Sequence, residues 1–428
     1  MSLPDQLHHK AGSSSAWNLE RPRSISRGIL GVKFLYSSVV GQFPITPLHV
    51  HWNLCRRFVL LASSTKICYS VLVALKESTV SYSFDELAIW RTKLPQAEHA
   101  VLPPSNNRPN PLVTDTMAYV SVFSPGAVYA LERQTGKMVW HREIPKFGGS
   151  AVHLAQGKLF AQTANTLFAL EPETGKTIWS FCPYGDSGES IYSAPTLYRN
   201  CVFIGDRRGF LHCLDSRTGH SYWKQLTNRA KNDDLNTTPV VSKGLVMVAT
   251  NAKMAAAYDA KTGERVWVRK LDGPSHFGPL FFRGLLGVVT DSIYLLRPET
   301  GKVVRRFSWK GDGVTGADCT RRDVVCMLRG SWPPSGETTL VGLNDTGIQF
   351  TENSTAYVAF IHFASETNLI YVSHLQGIDL RRQAKGTLVC KIEEKSGSSG
   401  IGLVDVKGNT IYALVADGHV YALRHPAV

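Results

Sequence analysis

Adjacent cysteines are missing from this chain, and so is any CxxC pair. Its eight cysteines stand singly, at Cys55, Cys68, Cys182, Cys201, Cys213, Cys319, Cys326 and Cys390. That spacing excludes a zinc site of the usual kind. Most fall in strand-like runs, such as Cys201 in "CVFIG" and Cys326 in "VVCML", where a thiol acts as a small hydrophobe. One disulfide stays open, between Cys201 and Cys213, if they face each other on paired strands. Long helix-period stretches are scarce after residue 100. No arginine-rich run or nucleic-acid motif accompanies the net charge of +13, so specific nucleic-acid binding is not expected. Residues 1–80 hold nine basic and three acidic side chains, and the remaining excess reads as spread over the repeats, a basic soluble surface.

A firm transmembrane span is lacking as well. Arg56–Leu75 is apolar behind two arginines, but Lys66 sits mid-span beside Ser63, Ser64 and Thr65. The same stretch has the charged start and apolar middle of a secretory signal, yet it lies far from Met1, and no lipobox is clear. No methionine stands between Met1 and Met117. A start assigned upstream of the true one would account for both oddities. The alternative is a lead-in that is strand-rich or partly disordered, as "AGSSS" and "RPRSISR" suggest. Residues 1–80 are thus expected to form a basic, partly disordered or targeting segment.

What the chain has in plenty is one short phrase. "FALEPETGKTIWSF" at Phe168 returns as "YALERQTGKMVWHR" at Tyr129, "HCLDSRTGHSYWKQ" at His212 and "AYDAKTGERVW" at Ala257. The glycine of each Thr-Gly pair is a ruler: Gly136, Gly175, Gly219, Gly263 and Gly301 lie 39, 44, 44 and 38 residues apart. Gly347 in "LVGLNDTGIQF" and Gly386 in a worn unit continue the count. A strand-rich period of roughly 40–45 residues means a propeller blade. Each unit holds a Pro-led strand, a turn, two further strands and a tryptophan strand. "SAPTLYRNCVFIGDRRGFLHCLD" (Ser193–Asp215) shows the first three. The expected fold is all-β: an eight-bladed β-propeller of four-stranded antiparallel blades. Seven blades is the alternative, if the unit near Gly386 is an insertion.

The motif has a physical reading. Asp215 or Asp259 accepts backbone N–H bonds two residues on, Thr adds a side-chain bond, and Gly supplies positive φ. The tryptophan four residues later, at Trp140, Trp179, Trp223 and Trp267, lands on the outer strand and packs toward the next blade. Later copies drift: Arg305 and Cys390 hold that spot in two units, and Phe350 lies one residue early in another. The C-terminus has inner strands but no tryptophan strand, whereas "DELAIWRTKLP" carries Trp90 with no blade before it. Strand 85–95 is therefore expected to pair with strands in 409–425 and close a domain spanning 81–428.

The phrase Ala-Leu-Asp-x-x-Thr-Gly-Lys-x-x-Trp resembles the tryptophan-docking repeat of the pyrroloquinoline quinone (PQQ)-like propellers. "ALERQTGKMVW", "ALEPETGKTIW", "CLDSRTGHSYW", "AYDAKTGERVW" and "LLRPETGKVV" carry the likeness, over about residues 82–428. The resemblance implies two kinds of relative: quinoprotein dehydrogenases and non-catalytic members like the outer-membrane assembly lipoprotein BamB. A dehydrogenase of this family holds the quinone on the axis with a calcium ion, beside an Asp base, and the alcohol dehydrogenases add a Cys-Cys disulfide. This chain has no Cys-Cys, lacks the long insertions between blades, and offers no position onto which a family catalytic residue transfers.

Other motifs read as scaffold. "GDSGES" (Gly185–Ser190) approaches a serine-protease signature, but Glu189 replaces its last glycine, and the repeat frame places it in a loop after Trp179. Asp233 and Asp234 occupy the matching loop after Trp223; paired acids can bind calcium or act as acid and base, but solvated loop is the plainer reading. His153 and His276 begin or precede inner strands and read as structural. The expected function is a monomeric, non-catalytic scaffold binding proteins through loops and rim, without a cofactor, as in envelope or outer-membrane protein assembly. The alternatives are a PQQ- and calcium-dependent dehydrogenase and a ligand- or polysaccharide-binding propeller. The resemblance favours the periplasm or envelope, while unpaired cysteines lean toward a reducing compartment.

Overall fold

The computed structural model describes residues 79–426, apart from 98–110 and a set of shorter loop stretches. Residues 1–78 of the basic N-terminal segment lie outside the described residues. The described part belongs to one compact unit, Ser78–Val428. Its strands form eight sheets, and the chain is a β-propeller.

Blade 1 runs Leu112–Val113, Met117–Val122, Ala127–Glu132 and Met138–Glu143 from inner to outer strand. Blades 2 to 5 repeat that order and end on outer strands Thr177–Phe181, Ser221–Leu226, Arg265–Lys270 and Val303–Ser308. Blade 6 ends on Ile348–Ser354 and blade 7 on Leu388–Glu393. The unit around Gly386 is thus a full blade. Blade 8 takes its inner strands from Asp405–Lys407, Thr410–Leu414 and His419–Arg424, and its outer strand, β2, from Ala88–Lys93.

Eight apolar clusters hold the ring, each spanning two successive blades. This explains why inner strands read as unbroken apolar runs. In Leu245–Thr250, Val246 and Val248 pack into the interface with blade 3, while Met247 and Ala249 pack into the interface with blade 5. Alternate side chains serve opposite neighbours, so both faces are apolar. The outer strands have water on their free side and alternate instead.

The turn before each outer strand is built as its residues dictate. Asp215 Oδ1 accepts from the N–H of Arg217 (2.7 Å) and Thr218 (3.1 Å), and Gly219 N–H donates to Asp215 O at 2.8 Å. Gly219 has φ of +73°, and a Cβ there would stand 2.6 Å from Trp179 Cε3. Glycine is needed twice, for the turn and for the ring that lies on it. The Trp179 indole then donates to Ser216 O at 3.1 Å. Trp90 lies on Gly136 in the same way, Trp140 on Gly175, Trp223 on Gly263 and Trp267 on Gly301. Trp90, Trp140 and Trp267 donate to Arg133 O, Pro172 O and Pro298 O. Trp223 Nε1 is buried and has no hydrogen-bond partner among the described residues.

A second docking residue stands two places after the tryptophan. Thr92, Arg142 and Arg269 donate to the carbonyls of Gly136, Gly175 and Gly301 at 2.7, 2.7 and 3.0 Å. The pattern stops at Gly347, where a Cβ would meet nothing within 4 Å. Blade 5 offers Arg305 there, whose guanidinium donates to Thr346 O. Phe350 resumes docking on Gly386, which has φ of +68°.

Two features depart from the expected lead strand. Residues Phe84–Leu87 form a helical turn, α1, with a capping box between Ser83 and Glu86. Before it, β1 (Val80–Ser83) pairs parallel with the outer strand of blade 7, making that sheet five-stranded. Phe84 and Leu87 fill the interface between blades 7 and 8, with Phe84 edge-on to Tyr421 at 5.1 Å.

The expected option of a Cys201–Cys213 disulfide is corrected. Their strands pair, but Cys201 faces Asp215 and Cys213 faces Phe203, so the two residues are diagonal neighbours whose thiols meet without a bond between them. Cys182, Cys201, Cys213 and Cys390 are all free. Burial raises the Cys213 thiol pKa and pushes that of Cys390 up to about 11, away from reactive thiolate.

Candidate functional site

Two places gather polar side chains: the innermost strands around the axis, and the face formed by loops that follow each outer strand. At the axis, Asp405 Oδ2 accepts from Val113 N–H of blade 1 at 2.8 Å, and Asp318 Oδ2 accepts from Phe363 N–H of blade 7 at 3.1 Å. Thr196 donates to Pro239 O of blade 4 at 2.5 Å. Each link joins one blade to its successor. His362 Nε2 lies 3.9 Å from Asp405 Oδ1 with 14 % of its side chain exposed. Burial lowers its pKa to about 4, so it is a neutral imidazole near neutral pH. His153 sits on the innermost strand of blade 2 and is half-buried.

On the loop face, Asp206 of blade 3 is wholly buried. Its Oδ1 accepts from the N–H of Arg208 and Phe210, both at 2.9 Å. Its Oδ2 accepts from Tyr184 O–H at 2.6 Å and faces His212 Nε2 at 2.6 Å. Burial alone would raise this carboxyl, but the His212 and Tyr184 hydrogen bonds hold it below the usual aspartate range. Arg208 stacks 3.9 Å above the Tyr184 ring. Tyr184 belongs to the incoming loop and Asp206 to a blade turn, so the knot fastens one to the other.

Blade 5 repeats the device with other residues. Asp272, in the loop, accepts from Thr290 Oγ1 (2.8 Å), Ser292 Oγ (2.7 Å) and the Arg306 guanidinium. Burial opposes ionisation, yet the Ser292 and Thr290 bonds with Arg306 bring its pKa down to about 2. In blade 7, Asp379 and Arg381 form a buried pair at 3.1 Å, and His374 Nε2 lies 3.5 Å from Asp379 Oδ1.

Of the residues singled out in sequence, Gly185 is described. It accepts from Asn165 Nδ2 at 3.2 Å and from Cys182 Sγ at 3.3 Å. The rest of "GDSGES", Asp233, Asp234 and His276 lie outside the described residues. Asp206, Asp272, Asp318, His362 and Asp405 were missed. Each sits in a variable part of its unit, where comparing copies gives no signal.

A calcium-held quinone needs several converging oxygen donors. Among the described residues no three His, Cys, Asp or Glu side chains come together to hold a metal. Asp318 and Asp405 lie two blades apart, each already bonded to a backbone N–H. The described donor set does not fit that ion.

Residues 76–307 match the family described as "Outer membrane protein assembly factor BamB". Among solved structures, the computationally designed Ika8 protein superposes with TM-score 0.61 at 13 % identity, covering 79 % of this chain and 99 % of its own. The quinohemoprotein alcohol dehydrogenase of Comamonas testosteroni gives 0.61 at 13 %, covering 80 % and 77 %. BamB from Moraxella catarrhalis gives 0.43 at 16 %, covering 79 % and 99 %, too low to carry an argument. No curated protein matches the chain significantly. A designed protein and an enzyme fit equally well, so these likenesses speak to fold alone.

Proposed function

The chain belongs to the PQQ-repeat family described as outer membrane protein assembly factor BamB, and from that premise we propose that it is a non-catalytic scaffold that binds other proteins. One observation carries this reading: the buried or half-buried carboxylates Asp206, Asp272, Asp318 and Asp405 are engaged in holding blades and loops together. Asp318 and Asp405 each cap a backbone N–H of the next blade. Asp206 and Asp272 each accept from several donors. A general base needs a lone pair directed at substrate, and a calcium site needs open oxygen ligands. A rigid ring with variable loops suits recognition instead. The quinoprotein reading is tested against this one by adding PQQ and calcium to the purified chain. The scaffold reading expects neither stoichiometric quinone binding nor dye reduction with alcohols or sugars. Turnover in that assay overturns it.

A further inference from the structure

The basic excess of the repeats is concentrated, not spread. Residues 193–308, which make blades 3 to 5, hold eighteen Lys and Arg against nine Asp and Glu, while residues 81–192 and 309–428 are each net −1. The outer strands of these three blades carry Lys224, Arg265, Arg269, Lys270, Arg305 and Arg306 and no acid. Of these six, only Arg306 is ion-paired among the described residues, to Asp272. Large apolar side chains are exposed among them: Tyr222 at 53 %, Val266 at 50 % and Val268 at 46 %.

Outside blade 7, each outer strand ends its sheet among the described residues, so its edge presents backbone N–H and C=O groups open to a further strand. This fold already fills one such edge: β1 lies parallel along Cys390–Glu393 of blade 7. Cys390 pairs with Leu380 just past the register shift of its strand, and Trp267 pairs with Ala257 at the same point of blade 4. Trp267–Lys270 is therefore the counterpart of the occupied edge, and it has no fifth strand among the described residues.

We propose that the outer edge of blade 4, flanked by blades 3 and 5, takes an extended acidic segment of a partner protein as an added strand. This rests on the scaffold reading. Backbone pairing supplies attachment, and the side chains supply selection. Arg265 stands at one end of the strand, Arg269 and Lys270 at the other, with Val266 and Val268 between. The edge matches a segment that alternates Asp or Glu with β-branched residues. Charges of one sign repel a second copy of the same edge, which excludes self-pairing.

The test titrates the full chain into a labelled peptide that alternates Asp or Glu with Val or Ile over about eight residues. Saturable binding is expected, followed by anisotropy. It should be lost when alternate peptide amides are N-methylated, and weakened about tenfold by Arg265→Glu with Lys270→Glu. Lys176→Glu, in the blade 2 turn, should leave it unchanged. Equal binding of the methylated peptide overturns strand addition, and that arm uses the unaltered chain should the double variant fail to fold. Binding to phosphatidylserine vesicles without binding to the peptide assigns the patch to a membrane and overturns it too. Quinone turnover would sink the scaffold reading without touching the peptide result, and failure of the peptide leaves the scaffold reading standing.

Discussion

Two arcs of the ring keep their blades together by different means. From blade 8 through blade 1 to blade 5, five tryptophans lie on five glycines of the following blade. From blade 5 to blade 8 the device lapses. Arg305 reaches Thr346 O over an open Gly347, Phe350 lies on Gly386, and Cys390 ends the series beneath a strand brought from elsewhere. The first arc stores its adhesion in a local phrase, repeated because each interface poses the same packing problem. At its closing end, blades 7 and 8, the second relies on long-range parts, β1, α1 and β2, that come from the other end of the chain. A closed ring tolerates erosion of its motif where another element takes over the interface.

The largest expected effect breaks the second arc. Removing Ile411–Val428 takes away two strands of blade 8 and leaves β2 without a sheet. The truncated chain should show no cooperative melt by circular dichroism. Next, Gly219→Val places a branched side chain at φ of +73° against Trp179. It should cost about 4 kcal/mol or more, read from the denaturant midpoint. Gly347→Ala, with open space around it, should cost less than about 0.5 kcal/mol in the same assay. Equal costs would erase the contrast between the arcs. Phe84→Ala empties a buried aromatic site in the interface between blades 7 and 8 and should cost about 3 kcal/mol. The smallest effect is pH-dependent. Asp272 has a folded pKa of about 2 against an ordinary 3.8, so its stabilisation is complete above the ordinary value and lost as pH falls through the folded one. Asp272→Asn should flatten acid unfolding over that window while leaving the profile above pH 3.8 unchanged.

Much of the first arc was legible in the sequence. Five Thr-Gly pairs with a ruler of near-constant length announce a blade, and Trp90 without a blade announces closure. The docking role of Thr92, Arg142 and Arg269 was not, because their side chains differ while their task is one hydrogen bond to a carbonyl. Nor was β1. "VSYS" has four residues and no strong apolar alternation, and its partner lies about 310 positions away. The buried carboxylates were hidden for a related reason: Asp206 and Asp272 perform one function from different loop positions, so no column of the repeat contains both. The offset of Cys201 from Cys213 depended on register, which strand pairing alone decides.

Blade 8 also imposes an order in time. Its outer strand leaves the ribosome some 330 residues before the strand it pairs with, Ala88–Lys93 meeting His419–Arg424. At about 5–20 residues per second, that is a wait on the order of tens of seconds. Until then Trp90 has a partner for its ring in Gly136 but none for its backbone. Blades 1 to 5 have time to stack in sequence while the first-made strand stays unmatched. Until His419–Arg424 is made, the nascent propeller is an open arc whose first-made strand has no sheet to join.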